Sequence, residues 1–514
     1  MNKMLEAMKD NANIGLTENG AIKRVTTKSD LLDMFAMGAA MRSRSDEDVI
    51  LMWRKAFAEN PVYALKCLFY IRDIRGGQGE RRFFRLCMKD LATRNTEAAR
   101  RNLKYIPEYG RYDDLYTFVG TPLERDAFVF IKDQLMLDMD CKTPSLLAKW
   151  LKSENTSSLE SRKLGNLTRE YLGMTHKRYR KVLSALRTRI NVLEKLMSEN
   201  RWDEIEYDKI PSKAGIKYKN AFARRDIERV KAGVQTYAEF AKDETKTVNA
   251  KALYPYEVVS KAINLGGRYY RSSMPAMDDT NRLMINKYWD NLADYFNGAS
   301  FNGIAVVDTS GSMVRSDAAA PINVAISLGL YCAEKANGLF AGHYISFASR
   351  PQLIATEGVD FCDKVYRIYR TNLCDNTNIE ATFDLILNLA IKNHMQQKDL
   401  PENVIVISDM EFDEARGHYS WSNRYGCFKR EAVQEADTLM ETIEKKFNNA
   451  GYQLPKLIFW NVDARQNNIP MLDNGRVSFV SGMSPSIFET IMTGKTGFDL
   501  MMEKLDSKRY EVIG

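Results

Sequence analysis

Gly303-Ile304-Ala305-Val306-Val307-Asp308-Thr309-Ser310-Gly311-Ser312-Met313 is the stretch whose reading decides the fold. Five small or β-branched apolar residues in a row read as a strand buried on both faces. The run ends abruptly in an aspartate and a polar, Gly-containing turn. Downstream the same rhythm returns, with short apolar runs at Tyr344–Phe347, Val404–Ile407, Leu457–Trp460 and Val477–Val480. Helical patterns fall between them at about 321–336, 378–394 and 429–449, with another near the C-terminus. Strand, helix, strand in this order predicts a doubly wound, mainly parallel α/β sheet with helices on both faces, over residues 301–514.

In an open sheet of this kind ligands bind beyond the carboxyl ends of the strands, where strand order reverses. The first strand delivers Asp308 there, followed by Ser310 and Ser312. The strand Asn403-Val404-Ile405-Val406-Ile407-Ser408 ends the same way in Asp409. Between them Thr377 stands before a predicted helix, in the loop Leu373-Cys374-Asp375-Asn376-Thr377. A few carboxylate and hydroxyl oxygens on short loops suit a small hard cation that keeps part of its water shell. Mg²⁺ is the expected ion, although Mn²⁺ and Ca²⁺ accept the same ligands. The plainer alternative is a polar turn whose serines cap the next helix.

The D-x-S-x-S signature, a later threonine before a helix and a later strand-terminal aspartate resemble the metal-ion-dependent adhesion site of von Willebrand factor A domains. That resemblance implies a divalent-cation site at Asp308, Ser310, Ser312, Thr377 and Asp409. It also implies direct ligation by hydroxyls, ligation through water by one or both carboxylates, and a shell completed by an acidic group of a protein partner. The family often has glycine before the threonine, where this chain has Asn376, and Asp375 is an alternative contributor.

Upstream the pattern differs. Residues 28 to about 245 carry apolar positions at three- and four-residue spacing, punctuated by Asn60-Pro61, Gly76-Gly77 and Gly120-Thr121-Pro122. Residues 1–245 are therefore expected to be an all-α, solenoid-like array, and 246–300 a connecting segment. The strongest helix is predicted over Thr175–Glu199, with Tyr179, Val182, Leu183, Leu186, Ile190, Leu193 and Met197 on one stripe.

Charge separates the two halves. Residues 1–300 hold 53 Lys and Arg against 40 Asp and Glu, whereas residues 301–514 hold 21 against 27. Leu151–Val230 alone has 19 basic and 11 acidic residues. Lys177, Arg178, Arg180, Lys181, Arg187 and Arg189 on one helix could follow phosphates, and Tyr179, Trp202, Tyr207, Tyr218 and Phe222 are candidate stacking rings. Aromatics at helical spacing are more often core, and helical charge runs more often a solvated face.

A helical array followed by such an α/β domain resembles the Ro ribonucleoprotein (TROVE) family. That likeness implies a non-enzymatic RNA-binding scaffold, with RNA as partner. Phe69-Tyr70-Ile71-Arg72-Asp73-Ile74-Arg75-Gly76-Gly77-Gln78-Gly79-Glu80-Arg81-Arg82 and Tyr105-Ile106-Pro107-Glu108-Tyr109-Gly110-Arg111 are similar still more closely to an uncharacterised family of phage, bacterial and plant proteins of the same layout. Leu172–His176 and Trp202–Ile205 add to that likeness.

Other chemistries find little support. The four histidines, His176, His343, His394 and His418, form no H-E-x-x-H pair, and Met492–Thr496 lacks the early glycine of a phosphate loop. Gly76-Gly77-Gln78-Gly79 beside Arg81 and Arg82 could hold a phosphate through backbone amides, although a plain glycine turn is the commoner use. No catalytic residue is assigned. An adhesion module without RNA, and third a Mg²⁺-dependent hydrolase, are the alternatives. Seven scattered cysteines without a C-x-x-C pair, no secretory apolar run and no long apolar stretch together predict a cytoplasmic chain with no membrane partner.

Overall fold

The computed structural model describes residues 4, 12–264, 278–296, 298, 301–315, 319–335, 338–348, 350–371, 378–413, 419–422, 427–430, 439–472, 475–491 and 494–514. Its strands, in chain order, are β1 (Ile14–Leu16), β2 (Ile22–Arg24), β3 (Gly303–Asp308), β4 (His343–Phe347), β5 (Leu353–Ala355), β6 (Asn403–Ser408), β7 (Tyr419–Ser422), β8 (Cys427–Arg430), β9 (Lys456–Asn461) and β10 (Val477–Ser481). All five strands expected from the apolar runs are present. The chain divides into two compact units.

The first unit is the α/β one. Its six-stranded sheet runs in the order β10-β9-β6-β3-β4-β5, parallel throughout except at the edge, where β5 pairs antiparallel with β4. β3 lies between β4 and β6, so the chain leaves it in one direction and returns on its other side. The loops after β3 and β6 are thereby neighbours at the switch point. Every residue of β3 is buried, as a central parallel strand requires. The helix Pro321–Lys335, buried from Pro321 to Ala333, covers it. A β-carbon on Gly329 would collide with Val307, so glycine lets this helix approach the strand.

The expected boundaries at 245 and 300 give way to a different division. Residues 1–60, 254–276 and 294–507 form the α/β unit, and residues 61–253, 277–293 and 508–514 form the helical unit. The N-terminal assignment has a clear cause. In the helix Asp30–Met37 seven of eight residues are buried, including Leu31, Leu32, Met34, Phe35, Ala36 and Met37. A helix apolar on all sides needs cover on all sides. It packs on β10 and on the helix Gly497–Leu505. The Ser481 hydroxyl donates to the Phe35 carbonyl at 2.9 Å and accepts from the Ala39 amide at 3.3 Å.

The helical unit is built from helices such as Pro61–Arg72, Arg82–Arg94, Glu124–Asp140, Leu159–Tyr171 and Ser212–Arg224. Phe69 packs edge-on against Phe84 and Tyr109, and Tyr207, Phe222, Tyr237 and Phe240 form a second aromatic cluster. The end of the chain belongs to this unit: Arg509 pairs with Asp73, and Tyr510 is fully buried against Tyr70 and Tyr109. The long helix expected over Thr175–Glu199 is two, His176–Arg189 and Leu193–Ser198. Asn191, with φ of 48°, breaks it in the left-handed region that asparagine tolerates.

Candidate metal centre

Asp308 ends β3 with no exposed surface. Its Oδ1 accepts from the Ser310 amide at 2.9 Å, and its Oδ2 accepts from the Ser408 hydroxyl at 2.5 Å. A single 3₁₀ turn, Gly311–Met313, then carries Ser312 back beside Ser310, where their hydroxyls share a hydrogen bond with Oγ atoms 3.0 Å apart. Adjacent ligands of an octahedral Mg²⁺ with bonds of about 2.1 Å lie about 3.0 Å apart, so this hydroxyl spacing matches two neighbouring coordination positions. Burial, and then the charge of Asp409, push the Asp308 carboxyl up from the ordinary carboxylate range. A cation beside the two aspartates would offset both effects.

Asp409 follows β6 and is 1% exposed. Its Oδ1 accepts from the Glu411 amide at 3.2 Å, and its Oδ2 accepts from Arg465 at 2.7 Å. Met410 between them has φ of 64°, a left-handed strain that costs on the order of 1–3 kcal/mol and turns the backbone sharply at the strand end. The residues fit a divalent ion through Asp308, Ser310 and Ser312. Asp409, already held by a guanidinium, fits a role behind them, through water. Thr377 lies outside the described residues. Among the described residues no group of three or more His, Cys, Asp or Glu side chains gathers as metal ligands.

Sequence reasoning missed what surrounds these aspartates. β9 also ends at an acidic loop, and Asp463 pairs with Arg315 and accepts from the Ser43 hydroxyl at 3.0 Å. The signal was there in Leu457-Ile458-Phe459-Trp460-Asn461-Val462-Asp463, a third apolar run closing on an aspartate. The N-terminal segment runs over the same edge. Thr17 donates to the Phe412 carbonyl at 2.6 Å, the Glu18 amide donates to Glu411 at 2.7 Å, and the Glu18 carboxylate pairs with Arg465 at 3.0 Å. β2 bonds to the loop after β9 through Arg24 and Ile469.

In the helical unit the six candidate RNA-binding cations divide. Lys177, Arg178, Arg180 and Lys181 are exposed in the first turns of His176–Arg189, and among the described residues none has an acidic partner. Arg187 is spent on structure: it donates to the carbonyls of Ala148 and Leu151 and to the Ser153 hydroxyl, at 2.8, 2.9 and 3.0 Å. Arg189 likewise caps the end of Glu124–Asp140 through the carbonyls of Asp138, Met139 and Cys141. Of the candidate stacking rings, Tyr179, Trp202, Tyr207 and Phe222 are buried core, and Tyr218 is half-buried. In the glycine turn the amides of Gln78, Gly79 and Glu80 donate to carbonyls of Tyr70, Asp73 and Ile71. Among the described residues no helix is long and apolar enough to cross a membrane.

Comparison with known proteins adds family membership. The family described as Domain of unknown function (DUF2828) matches residues 17–127 and 134–298, and that described as Domain of unknown function (DUF7788) matches residues 302–512. Uncharacterized protein L728 of Acanthamoeba polyphaga mimivirus is 29% identical, over 94% of this chain and 85% of that protein. The crystal structure of the Deinococcus radiodurans RO (RSR) protein aligns over 92% of each chain, with a TM-score of 0.40 and 12% identity.

Proposed function

This chain belongs to the family described as Domain of unknown function (DUF2828), and from that premise we propose that it is a divalent-cation-dependent binding protein, not an enzyme. The observation that carries this reading is the 3.0 Å spacing of the Ser310 and Ser312 hydroxyls beside the buried Asp308 carboxylate. Asp308, Ser310 and Ser312 would hold the cation, with Asp409 orienting its water from behind. The cation would offer an open coordination position to an acidic side chain of a protein partner. One directly bound carboxylate and two neutral hydroxyls leave a dication with surplus positive charge, which favours an anionic ligand. Arg465, a quarter exposed, adds a fixed positive charge at the same edge.

A fluorescent oligoglutamate peptide titrated into the full chain tests this. Saturable binding in Mg²⁺ that disappears with EDTA and in Ser312→Ala is the expected result. Binding that is equal with and without EDTA would count against it, and hydrolysis of a phosphoester in Mg²⁺ would favour the hydrolase reading instead.

A second reading, RNA binding by the helical unit, is favoured by the exposed turn with Lys177, Arg178, Arg180 and Lys181. A labelled single-stranded oligoribonucleotide should bind with affinity that falls steeply as salt rises. Loss of that slope on changing all four residues to Gln supports the reading, and an unchanged slope removes it.

A further inference from the structure

Five cations and two carboxylates gather in the helical unit where the helix Arg82–Arg94 meets the turn Tyr112–Phe118. Arg72 and Asp114 form its buried floor, 2.6 Å apart and at most 1% exposed. Arg85 donates to the other Asp114 oxygen at 2.7 Å and reaches Asp113 at 3.3 Å. Arg111 grips Asp113 with both arms of its fork at 3.0 Å, and Lys152 stands 3.7 Å from the same carboxylate. Asp113 is thus shared by Arg85, Arg111 and Lys152, and Asp114 by Arg72 and Arg85, so four cations divide two carboxylates.

Arg81 completes the cluster without any carboxylate of its own. Among the described residues its guanidinium makes no hydrogen bond or ion pair, and it feels both the Arg111 and Arg85 cations and the Asp113 and Asp114 carboxylates. Crowding by protein atoms, and next the Arg111 charge, pull it down to about 10, although its side chain is open to water. Arg72, Arg81, Arg85, Arg111 and Lys152 against Asp113 and Asp114 leave a surplus of three positive charges in one place. Like charges held this close are costly unless an anion joins them.

We propose that Arg81, Arg85, Arg111 and Lys152 form an anion site that takes a phosphate group. The chemistry favours phosphate over a lone carboxylate. A surplus of three matches a di- or polyanion, and a phosphate offers several oxygens to several guanidinium forks at once. The site is built in advance: the Arg111 guanidinium lies 3.9 Å over the half-exposed Trp150 ring, and Asp113 fixes its fork. Arg81 is the arm left to close on the ligand. This proposal rests on neither the cation site of the α/β unit nor the exposed turn at Lys177.

The test uses the full chain, with inorganic pyrophosphate and an oligoribonucleotide lacking terminal phosphates as separate probes in calorimetric titrations. Pyrophosphate should bind with one-to-one saturation, and Arg81→Gln should weaken it tenfold or more. Arg94→Gln, which removes the same charge from the exposed end of the same helix, should leave it unchanged. If Arg81→Gln also weakens the oligoribonucleotide, the phosphate is that of a nucleic-acid backbone; if only pyrophosphate is affected, it is that of a small phosphorylated ligand. No saturable binding of either probe to the wild-type chain, or equal weakening by Arg94→Gln, would overturn the site. Because the Arg81 guanidinium makes no hydrogen bond or ion pair among the described residues, unaltered melting of Arg81→Gln separates loss of binding from loss of structure.

Discussion

Arg465 donates to the Asp409 carboxylate at 2.7 Å, so a fixed positive charge already stands against the second strand-terminal aspartate of the sheet edge. The same guanidinium pairs with Glu18 at 3.0 Å, which ties the N-terminal segment to that edge. Burial works against the charge on Arg465, yet Asp409, Glu18 and Glu411 together raise its pKa above the ordinary value. A cation held at this edge would therefore compete with the ion-pair network for one carboxylate.

Arg465→Gln should unpair Asp409 inside the protein. A buried charge stripped of its partner costs about 3–5 kcal/mol, so the melting temperature should fall in EDTA. Mg²⁺ should restore more stability to this variant than to the wild type, with affinity roughly tenfold higher, a change of about 1.4 kcal/mol. Thermal melts across a Mg²⁺ series measure both effects.

Ser312→Ala removes one proposed ligand from a half-exposed position and should leave the EDTA melt within about 0.5 kcal/mol of wild type. Its Mg²⁺-dependent stabilisation should shrink or vanish. A variant that keeps the full stabilisation would show that Ser312 is only a turn residue.

Asp114→Asn should destabilise the helical unit by about 3–5 kcal/mol, because Arg72 is left buried without its counter-charge. Burial alone would raise the Asp114 carboxyl, but Arg72 and Arg85 hold it below its ordinary value. A depressed carboxylate gives stability that is complete above its unfolded pKa and is lost as pH falls through the folded one. Denaturant titrations should therefore show stability declining below about pH 4 in the wild type, with a weaker decline in Asp114→Asn.

The basic helix separates structure from surface. Arg187→Ala should cost about 2–4 kcal/mol, since three charge-assisted hydrogen bonds to a loop are lost. Changing Lys177, Arg178, Arg180 and Lys181 together to Gln should leave the melt nearly unchanged. If that turn contacts RNA, the same change lowers the salt slope by about 0.7 per phosphate lost from a single strand. Melting and salt titrations on the two variants read these outcomes independently.

The α/β unit was legible because a central parallel strand must be apolar along its whole length, and Ile304–Val307 and Val404–Ile407 are. The aspartates that end such strands were legible for the same reason. The N-terminal segment was harder to place, because its bonds, such as Thr17 to Phe412, join residues 395 positions apart and leave no local pattern. The one trace was the all-round apolarity of Asp30–Met37. Arg187 and Arg189 carry a second use that the sequence does not announce, since both also donate to backbone carbonyls. A cation that caps a loop or helix end has the same spacing in sequence as one that faces water, and only the fold tells them apart.

A Mn²⁺ titration of the full chain, followed by electron paramagnetic resonance, tests the cation site most directly. The account predicts one Mn²⁺ bound per chain, displaced by Mg²⁺ and lost in both Asp308→Ala and Ser312→Ala. Absence of bound Mn²⁺ in the wild type, or binding that survives Asp308→Ala unchanged, would contradict it.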